Sequence, residues 1–339
     1  MAITISPFDA DDPAAIEAAY RIGAAAERVD VPDLPPLCWQ SFEGTVRHPM
    51  PGRRQLWALA RLDGEPAGYL SVELHELDNL DLATSELVVD PAYRRRGVGR
   101  ALHGHALGLA RENGRKQLIF GVVSALPGGE TRPEPGTAFA TAMGATPALL
   151  EVRRRLDLHR LDSAGLDAAA AEAQAHAAGY ELVRWGGQTP PEHLADIVYL
   201  DGRILIDVPL GDLGWEPEKV DADRVRGTER ALALRGHRRY QQGVRHVASG
   251  RVVAWTVLEF SASPPWHAYQ QITIVDPEHR GRRLGLLAKI ANLRYVLTRE
   301  PGLRYVDTWN AEVNTHMIAV NERMGFRAVD AWTEWQQTL

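Results

Sequence analysis

Two stretches of the sequence combine arginines and glycines at a spacing suited to holding phosphate. Residues 89–102 read VDPAYRRRGVGRAL, and residues 275–288 read VDPEHRGRRLGLLA. Glycines let a ligand approach the backbone, the first N–H groups of a helix have no partner inside it, and the helix dipole favours an anion there. Arginines add positive charge and paired N–H donors. Both stretches are therefore predicted to bind phosphate at a helix start.

Two common glycine-rich phosphate motifs do not fit the first stretch. A dinucleotide fingerprint needs a third glycine where Leu102 stands, and a P-loop needs a Gly-Lys-Ser/Thr ending, which the stretch lacks. Taken alone, the stretch is also compatible with an ordinary solvated helix start, so the second copy is what favours a binding role.

The two stretches align without gaps at an offset of 280 − 94 = 186 residues. A repeat of this length corresponds to a whole domain rather than to one unit of a solenoid, so it predicts a duplicated fold. The matched positions are Val, Asp and Pro at the start, then Arg94 with Arg280, Arg96 with Arg282, and Gly99 with Gly285.

The first stretch resembles the Arg/Gln-x-x-Gly-x-Gly/Ala loop with which GNAT superfamily acetyltransferases hold the pyrophosphate of acetyl-CoA. Arg94, Gly97 and Gly99 stand at its defining positions. Residues 314–326, NTHMIAVNERMGF, resemble the pattern that closes GNAT domains, whereas the first copy keeps only Met-Gly-Ala at residues 143–145. The first copy thus has the better phosphate loop, and the second has the better closing helix.

The resemblance implies an α/β (α+β) fold with two GNAT-like domains, each a mixed central sheet flanked by helices. The predicted division is an N-terminal domain at residues 1–160, a linker helix at 161–179 and a C-terminal domain at 180–339. The order of predicted strands and helices is the same in both halves. Among duplicated members, the layout is similar to that of the mycothiol synthases.

The resemblance also implies which residues bind acetyl-CoA. The strand before each loop would offer a backbone N–H to the thioester carbonyl, the loop would hold the pyrophosphate, and the closing pattern would contribute its asparagine. Arg283 replaces Gly97 in the second copy and adds a bulky cation there. The predicted donor-binding residues are Val88, Val89, Arg94, Arg95, Arg96, Gly97, Val98, Gly99, Arg100, Ile274, Val275, Arg280, Gly281, Arg282, Arg283, Leu284, Gly285 and Asn314.

Acetyl transfer to an amine needs a group that removes a proton from the ammonium form. Glu86, on the strand before the first loop, is the predicted base. We read the matching residue of the second half as Gln271, which cannot act as a base, and name Glu312 there instead. Solvated surface positions are the alternative for both glutamates.

The family often places a tyrosine on the closing helix as general acid toward the CoA thiolate. This chain has Ala140 and Asn321 at the two positions. General acid catalysis contributes roughly 100- to 10,000-fold, and a thiol of pKa near 8.5 is already a fair leaving group, so the reaction does not depend on that acid. Asn321 is predicted to hold a water molecule or to contact the substrate.

Composition limits the other functions. The chain of 339 residues is long enough for two domains, and its net charge of −6 argues against nucleic-acid binding. The single cysteine excludes an internal disulfide and a Cys-rich zinc site, and His103 and His105 point to different faces of a predicted helix, so no metal is expected. No signal peptide or membrane-length apolar run is seen, so the cytoplasm is the expected location.

The sequence therefore predicts a cytoplasmic, tandem GNAT N-acetyltransferase that uses acetyl-CoA on a primary amine of a small molecule by direct attack on the thioester. A monomer or homodimer without nucleic-acid or membrane partners is expected. Two alternatives stay open. One is acetylation of a cysteinyl amine, as in the mycothiol synthases. The other is a CoA-binding pseudoenzyme or regulatory module in which at least one half is inactive.

Overall fold

The computed structural model describes residues 2–133 and 135–339, which contain ten α-helices and twelve β-strands. They gather in two compact units. Unit 1 comprises Met1–Glu151, Leu210–Glu216 and Asp330–Leu339, and unit 2 comprises Val152–Pro209 and Pro217–Val329. No helix among these residues is both long and apolar enough to cross a membrane.

The first half of the chain alternates strands and helices as its sequence pattern predicts. Its elements are β1 (Ile3–Phe8), α1 (Pro13–Asp30), α2 (Trp39–Arg47), β2 (Arg53–Leu62), β3 (Glu65–His75), β4 (Leu82–Val89), α3 (Val98–Glu112), β5 (Gln117–Ala125), α4 (Pro135–Ala142) and β6 (Thr146–Asp157).

The second half repeats this plan after one additional helix. Its elements are α5 (Ser163–Ala175), β7 (Tyr180–Gly186), α6 (Pro191–Gly202), α7 (Ile204–Asp207), α8 (Ala222–Leu234), β8 (Arg238–His246), β9 (Val252–Phe260), β10 (His267–Val275), α9 (Leu284–Arg299), β11 (Tyr305–Ala311), α10 (Thr315–Met324) and β12 (Arg327–Thr338).

Local sequence signals set the start of α1 and the turn between β2 and β3. Asp12 caps α1 by accepting the N–H of Ala15 at 2.9 Å, with a proline in the first turn. Asp63 and Gly64 both have positive φ angles, 51° and 92°, as a tight hairpin turn requires, so the turn sets the register of β2 against β3.

The sheet of unit 1 has the order β1-β2-β3-β4-β5-β12. The end of the chain supplies its last strand, because β12 pairs antiparallel with β5 from Asp330↔Ala125 to Thr338↔Gln117. The boundaries predicted from the sequence put residues 330–339 in the C-terminal domain, and the compact units differ from them at this point. Unit 2 begins with the second part of β6, and its sheet runs β6-β11-β10-β9-β8-β7.

Side chains alternate across the sheet of unit 1 and bury both faces. One face packs against α3 and the other against α1 and α2, so the sheet is the middle of three layers. The α3 face includes Ala58, Leu70, Val72, Val98 and Leu102, and the α1–α2 face includes Ile16, Phe42, Trp57, Leu59 and Tyr69.

Unit 2 is layered in the same way. Its larger core joins α5 and α9 to the sheet, with Leu166, Ala169, Leu287 and Phe260 among its buried members. The helix predicted as a linker, α5, is therefore packed into unit 2. Arg203 separates α6 from α7. The predicted fold class, two mixed sheets flanked by helices, is confirmed.

Candidate functional site

β4 and β5 pair at one end and separate at the other. Their parallel register covers only Leu82↔Gln117, Ala83↔Leu118 and Thr84↔Ile119. β4 continues to Val89 along β3, its neighbour on the other side, so the last residues of β4 border a cleft in unit 1.

The register of β4 shows which backbone groups face this cleft. The N–H of Asp90 donates to the carbonyl oxygen of Ala67 at 3.0 Å, and Val89 lies opposite Gly68. Because N–H groups of successive strand residues alternate in direction, the N–H of Val88 points to β3 and that of Val89 points into the cleft. Of the two predicted thioester donors, only Val89 has the required direction.

The loop after β4 leads into a helix whose first N–H groups are open. Gly97 is the N-cap of α3, has a φ of 89° and offers no side-chain cap. In contrast, side chains cap α1, α5, α8 and α10. Val98 is buried in the core and fixes the helix start, while Gly99 lies beside the ring of Phe139 from α4. An anion fits at such a start.

Arg94 holds the loop in place. Its two terminal nitrogens donate to the carboxylate of Asp30, at 2.8 and 2.6 Å, and its Nε donates to the carbonyl oxygen of Val89 at 3.2 Å. The side chain therefore joins the end of α1, the end of β4 and the loop. This predicted phosphate ligand has an architectural role within the protein itself.

The other arginines of the first loop remain exposed. Arg95, Arg96 and Arg100 lie on the surface, and within residues 2–133 and 135–339 none of them has a carboxylate partner. Arg96 stacks over the ring of Tyr93 at 5.8 Å. Three unneutralised guanidinium groups around an open helix start form an electropositive cradle of the kind a pyrophosphate requires.

Glu86 lies on the face of β4 that packs toward α1. The hydroxyl of Tyr69 donates to its Oε1 at 2.8 Å. One side of the carboxylate is open to solvent, and protein atoms surround its other sides. This partial desolvation raises the pKa of Glu86. The hydrogen bond from Tyr69 has the opposite effect and lowers that pKa. The pKa of Tyr69 is far above its ordinary value because of burial and the nearby carboxylates, so its hydroxyl stays a donor.

A second carboxylate, Glu27 on α1, lies close enough to Glu86 for their charges to interact. The pKa of Glu27 is raised to about 7, mainly by burial and to a smaller extent by the charge of Glu86. The backbone of Leu37 acts in the opposite direction and lowers it. Sequence reasoning missed Glu27 because an alanine-rich helix gives no sign of which glutamate turns inward.

The corresponding strands of unit 2 separate in the same way. The parallel register of β10 with β11 covers only His267↔Tyr305, Ala268↔Val306 and Tyr269↔Asp307. The N–H of Asp276 donates to Val253, and Val275 lies opposite Ala254, so the N–H of Ile274 points to β9 and that of Val275 points away from it.

The second loop has the same backbone shape with its residue types exchanged. Positive φ angles occur at Arg95 (63°) and Gly97 (89°) in the first loop, and at Gly281 (79°) and Arg283 (56°) in the second. These positions correspond at the offset of 186. Each loop thus has one glycine and one arginine in the left-handed region, in opposite order, and Leu284, like Val98, is buried at the start of its helix.

The arginines of the second loop are largely neutralised. Arg280 pairs with Asp207 at 2.7 Å and donates to the carbonyl of Val275, and Arg283 pairs with Glu172 of α5. Arg282 donates to the carbonyl of Glu278 and stacks over Tyr180. Gly285, at the helix start, packs near Thr273 and Val275.

No glutamate stands at the counterpart of Glu86 in unit 2. A bulge in β10 puts Gln271 and Ile272 together opposite Val257, and the gap-free alignment matches Glu86 with Ile272 rather than with Gln271. Glu312 is exposed in the turn after β11, where its charge acts on Arg154.

The closing helix of unit 2 is held by amide side chains. Asn314 caps α10 by accepting the N–H of Met317 at 3.2 Å. Asn321 is fully buried, donates to Asn310 at 2.6 Å and accepts a hydrogen bond from Lys289. Both ends of the Asn321 amide are thus occupied by protein groups. In unit 1 the matching Ala140 is also fully buried and carries no acid.

Comparison with known proteins agrees with this geometry. Residues 20–125 match the model of the "Acetyltransferase (GNAT) family". The chain is similar to a tandem GNAT protein from the clavulanic acid biosynthesis pathway, solved without acetyl-CoA, with 33% identity, a TM-score of 0.85 and coverage of 99% of this chain and 98% of that one. No curated protein sequence matches the chain.

More distant solved structures share the fold. A GCN5-related N-acetyltransferase from Sphaerobacter thermophilus is 14% identical, with a TM-score of 0.65 and coverage of 99% of this chain and 95% of that chain. A glucosamine N-acetyltransferase region of a fungal multi-domain GH3 β-N-acetylglucosaminidase is 17% identical, with a TM-score of 0.67 and coverage of 99% and 38%.

Proposed function

Since the chain belongs to the GNAT family of N-acetyltransferases, as a tandem member, we propose that unit 1 transfers the acetyl group of acetyl-CoA to a primary amine of a small molecule by direct attack on the thioester. Acetyl-CoA use follows from the family. The proposal adds the acceptor class, the mechanism and the half that reacts.

One observation carries the choice of unit 1: around its open helix start lie three exposed arginines that have no carboxylate partner among the described residues, and the preceding strand carries Glu86, whose charge interacts with that of Glu27. The pyrophosphate would lie on the N–H groups after Gly97 with Arg95, Arg96 and Arg100 nearby. The N–H of Val89 would then donate to the thioester oxygen, where negative charge develops during attack.

The chemistry needs a neutral amine beside that thioester. Glu86 lies three residues before Val89 on the same strand, so an ammonium held by this carboxylate would be near the carbonyl carbon. After the ammonium loses a proton, the lone pair of the neutral amine forms the C–N bond, the C–S bond breaks, and the nitrogen loses a second proton to become the amide. The sulfur leaves with the electron pair and is protonated from solvent, because no acid stands at Ala140.

For unit 2 we infer a retained fold without acetyl transfer. Asp207 and Glu172 neutralise two of its loop arginines, and Gln271 and Ile272 stand where a base would be needed. Asn321 is committed to Lys289 and Asn310. These contacts support the pseudoenzyme alternative for this half, and Glu312 and Asn321 have no catalytic part in the proposal.

The test is thiol release from acetyl-CoA with a panel of small amines, combined with calorimetric binding of acetyl-CoA. The double variant Arg95→Ala/Arg96→Ala is expected to weaken donor binding and turnover at least 10-fold, the scale of one or two charge-assisted hydrogen bonds. The second-loop variant Arg280→Ala/Arg282→Ala, which also removes two arginines, should leave turnover unchanged. A reversed pattern would assign the reaction to unit 2, and equal turnover in all three proteins would refute both loop assignments.

A further inference from the structure

Glu27 lies beside the hydroxyl that holds Glu86. A Cβ built on Gly23 of α1 would lie 3.4 Å from the Tyr69 Oη, and this oxygen donates to Glu86 at 2.8 Å. Glu27 follows Gly23 by four residues, so the two positions are neighbours on one face of the helix. The helix therefore points Glu27 toward the Tyr69–Glu86 pair.

The end of α1 is fixed at this place by the donor loop. Asp30, one turn after Glu27, holds Arg94 through both terminal nitrogens. The helix turn that carries Glu27 is thus fastened to the loop that would bind the pyrophosphate. Occupation of the loop and the position of Glu27 depend on the same ion pair.

The bonding of Glu27 leaves one oxygen free for a proton. Its Oε2 is buried and has no hydrogen-bond partner among the residues that the structure describes, and the backbone of Leu37 only partly offsets the effect of burial on its pKa. An ionised carboxylate with a buried, unpartnered oxygen is costly, and a protonated one is not. Within residues 2–133 and 135–339, no arginine or lysine forms an ion pair with Glu27 or lowers its pKa.

From this geometry we infer that Glu27 accepts the proton of the acceptor ammonium, while Glu86 remains the anion that holds the ammonium in the cleft. The inference rests on the acetyl transfer proposed for unit 1 and names its base. Glu86, the residue chosen from the sequence, becomes the anchor because Tyr69 hydrogen-bonds its ionised form.

The ammonium loses one proton to Glu27, directly or through Glu86, and the resulting amine attacks the thioester carbon. The C–N bond forms, the C–S bond breaks, and the second N–H proton leaves the nitrogen as the thiolate takes a proton from solvent. Glu27 then returns its proton to solvent, so one proton is released for each amide and thiol formed from an ammonium.

Like charges close together titrate as a pair, and the second ionisation is shifted upward. The titratable groups that face Glu27 are Glu86 from β4 and Tyr69 from β3. The remaining charged groups nearby are already committed. Asp30 pairs with Arg94, Asp33 with Arg132, and Glu43 with Arg47, while Arg28 is exposed.

The pH profile of kcat/KM for the amine tests the inference. The activity of the wild-type protein should fall at low pH with an apparent pKa near 7. This is the pKa of Glu27, which burial and the charge of Glu86 raise to that value. Glu27→Gln should remove this limb and lower kcat roughly 100- to 10,000-fold, the usual contribution of a general base. Glu86→Gln should instead raise the KM of the amine and shift the limb to lower pH.

Controls separate this role from a structural one. Glu17→Gln changes an exposed glutamate nearly three turns earlier on α1 and should leave the profile unchanged. Glu27→Asp should keep a limb at reduced rate. Acetyl-CoA binding by calorimetry should be intact in every variant. This would show that the donor site is folded.

Proton release on amine binding gives a readout that needs no turnover. Calorimetry in two buffers of different ionisation enthalpy should show about half a proton lost by the wild-type protein at pH 7 and close to one at pH 6, because the carboxyl of Glu27 has a pKa of about 7 and a bound ammonium displaces its proton. Glu27→Gln should release none. If Glu27→Gln keeps the wild-type profile and proton release, the inference is wrong and the proposed function stands. If the wild-type protein binds acetyl-CoA but releases no thiol with any amine, the proposed function fails and the inference with it.

Discussion

Arg94 and Asp30 form a two-pronged ion pair, with nitrogen–oxygen distances of 2.8 and 2.6 Å, that ties the end of α1 to the loop before α3. Arg280 and Asp207 repeat this contact in unit 2 at 2.7 Å. The Nε of each arginine also donates to the last carbonyl of the strand before it. The pair is therefore part of the duplicated fold, and what distinguishes the two loops is the environment of their other arginines.

Asp30→Asn is expected to weaken acetyl-CoA binding by unit 1 about 10-fold, equal to ~1.4 kcal/mol, the scale of one charge-assisted contact. The asparagine keeps the size of the side chain but removes the charge that orients Arg94, so the loop loses its fixed shape. Calorimetric titration with acetyl-CoA measures the effect. Asp207→Asn is the matched control, and an equal loss of this binding from that variant would contradict the assignment of the donor to unit 1.

Arg95 and Gly97 both have left-handed backbone conformations, so substitutions at these two positions of the first loop should change the free energy of unfolding in opposite directions. Arg95 has a φ of 63° and Gly97 a φ of 89°, so Arg95→Gly should relieve strain and Gly97→Ala should introduce it, each by about 1 kcal/mol. Arg95→Gly should also weaken acetyl-CoA binding, because it removes an exposed guanidinium group. Arg95→Ala is the control that removes the charge without relieving the strain, and chemical denaturation measures the differences. Equal stability of the glycine and alanine variants would mean that the left-handed conformation carries no cost.

Local sequence signals were sufficient for most of the elements. The sequence pattern and its turn residues predict strands at residues 82–89, 252–260 and 267–275 and a helix at residues 222–234, and the structure has β4, β9, β10 and α8 at the same bounds. Gly97, Gly99 and the arginines around them located the first loop, because a phosphate-binding helix start has a short-range signature. Contacts such as Arg94 with Asp30 join residues 64 positions apart, and nothing in their spacing reveals them.

Strand partners and buried charges were beyond the sequence. The alternating pattern of β12 predicts a strand but not its neighbour, so its pairing with β5 in unit 1 was missed. The bulge in β10 places both Gln271 and Ile272 opposite one residue of β9, and no residue type in the sequence predicts it. Glu27 was overlooked because the inward direction of a helix glutamate depends on what packs against it, here Tyr69.

Two further carboxylates of unit 1 predict a pH-dependent stability. The pKa of Glu151 is raised to about 7, mainly by burial and to a smaller extent by the charge of Glu334. Burial also raises the pKa of Glu334. The folded state therefore binds more protons than the unfolded state between about pH 4.5 and 7, and the free energy of unfolding falls as the pH rises through this window.

Glu334→Gln is expected to increase the free energy of unfolding at pH 8 and to reduce its decline between pH 5 and 8, since one buried charge and its repulsion of Glu151 are removed. Denaturation at both pH values measures the change. Glu112→Gln, an exposed position on α3, is the control and should leave the pH dependence as it is. A larger pH dependence in Glu334→Gln would contradict the repulsion between the two carboxylates.

Lys289 is buried in unit 2, where its ammonium donates to Asn321 and lies 5.3 Å from the centre of the Phe326 ring. Burial lowers its pKa to about 7. Between about pH 7 and 10 the unfolded chain holds this proton and the folded chain does not, so the free energy of unfolding rises with pH by up to about 1.4 kcal/mol per pH unit. As the pH falls toward 7, Lys289 becomes protonated in the folded protein as well, and this contribution to the free energy of unfolding is lost.

Lys289→Met keeps the length and apolar stem of the side chain and removes the charge. We expect the variant to lose the rise in stability between pH 7 and 10, and to be more stable than the wild-type protein at pH 7, because a buried charge without a carboxylate partner is costly. Thermal and chemical denaturation across this pH range measure both effects. Lys116→Met, at an exposed lysine paired with Asp81, is the control and should keep the wild-type slope. If Lys289→Met keeps it as well, Lys289 is not the group that titrates in this window.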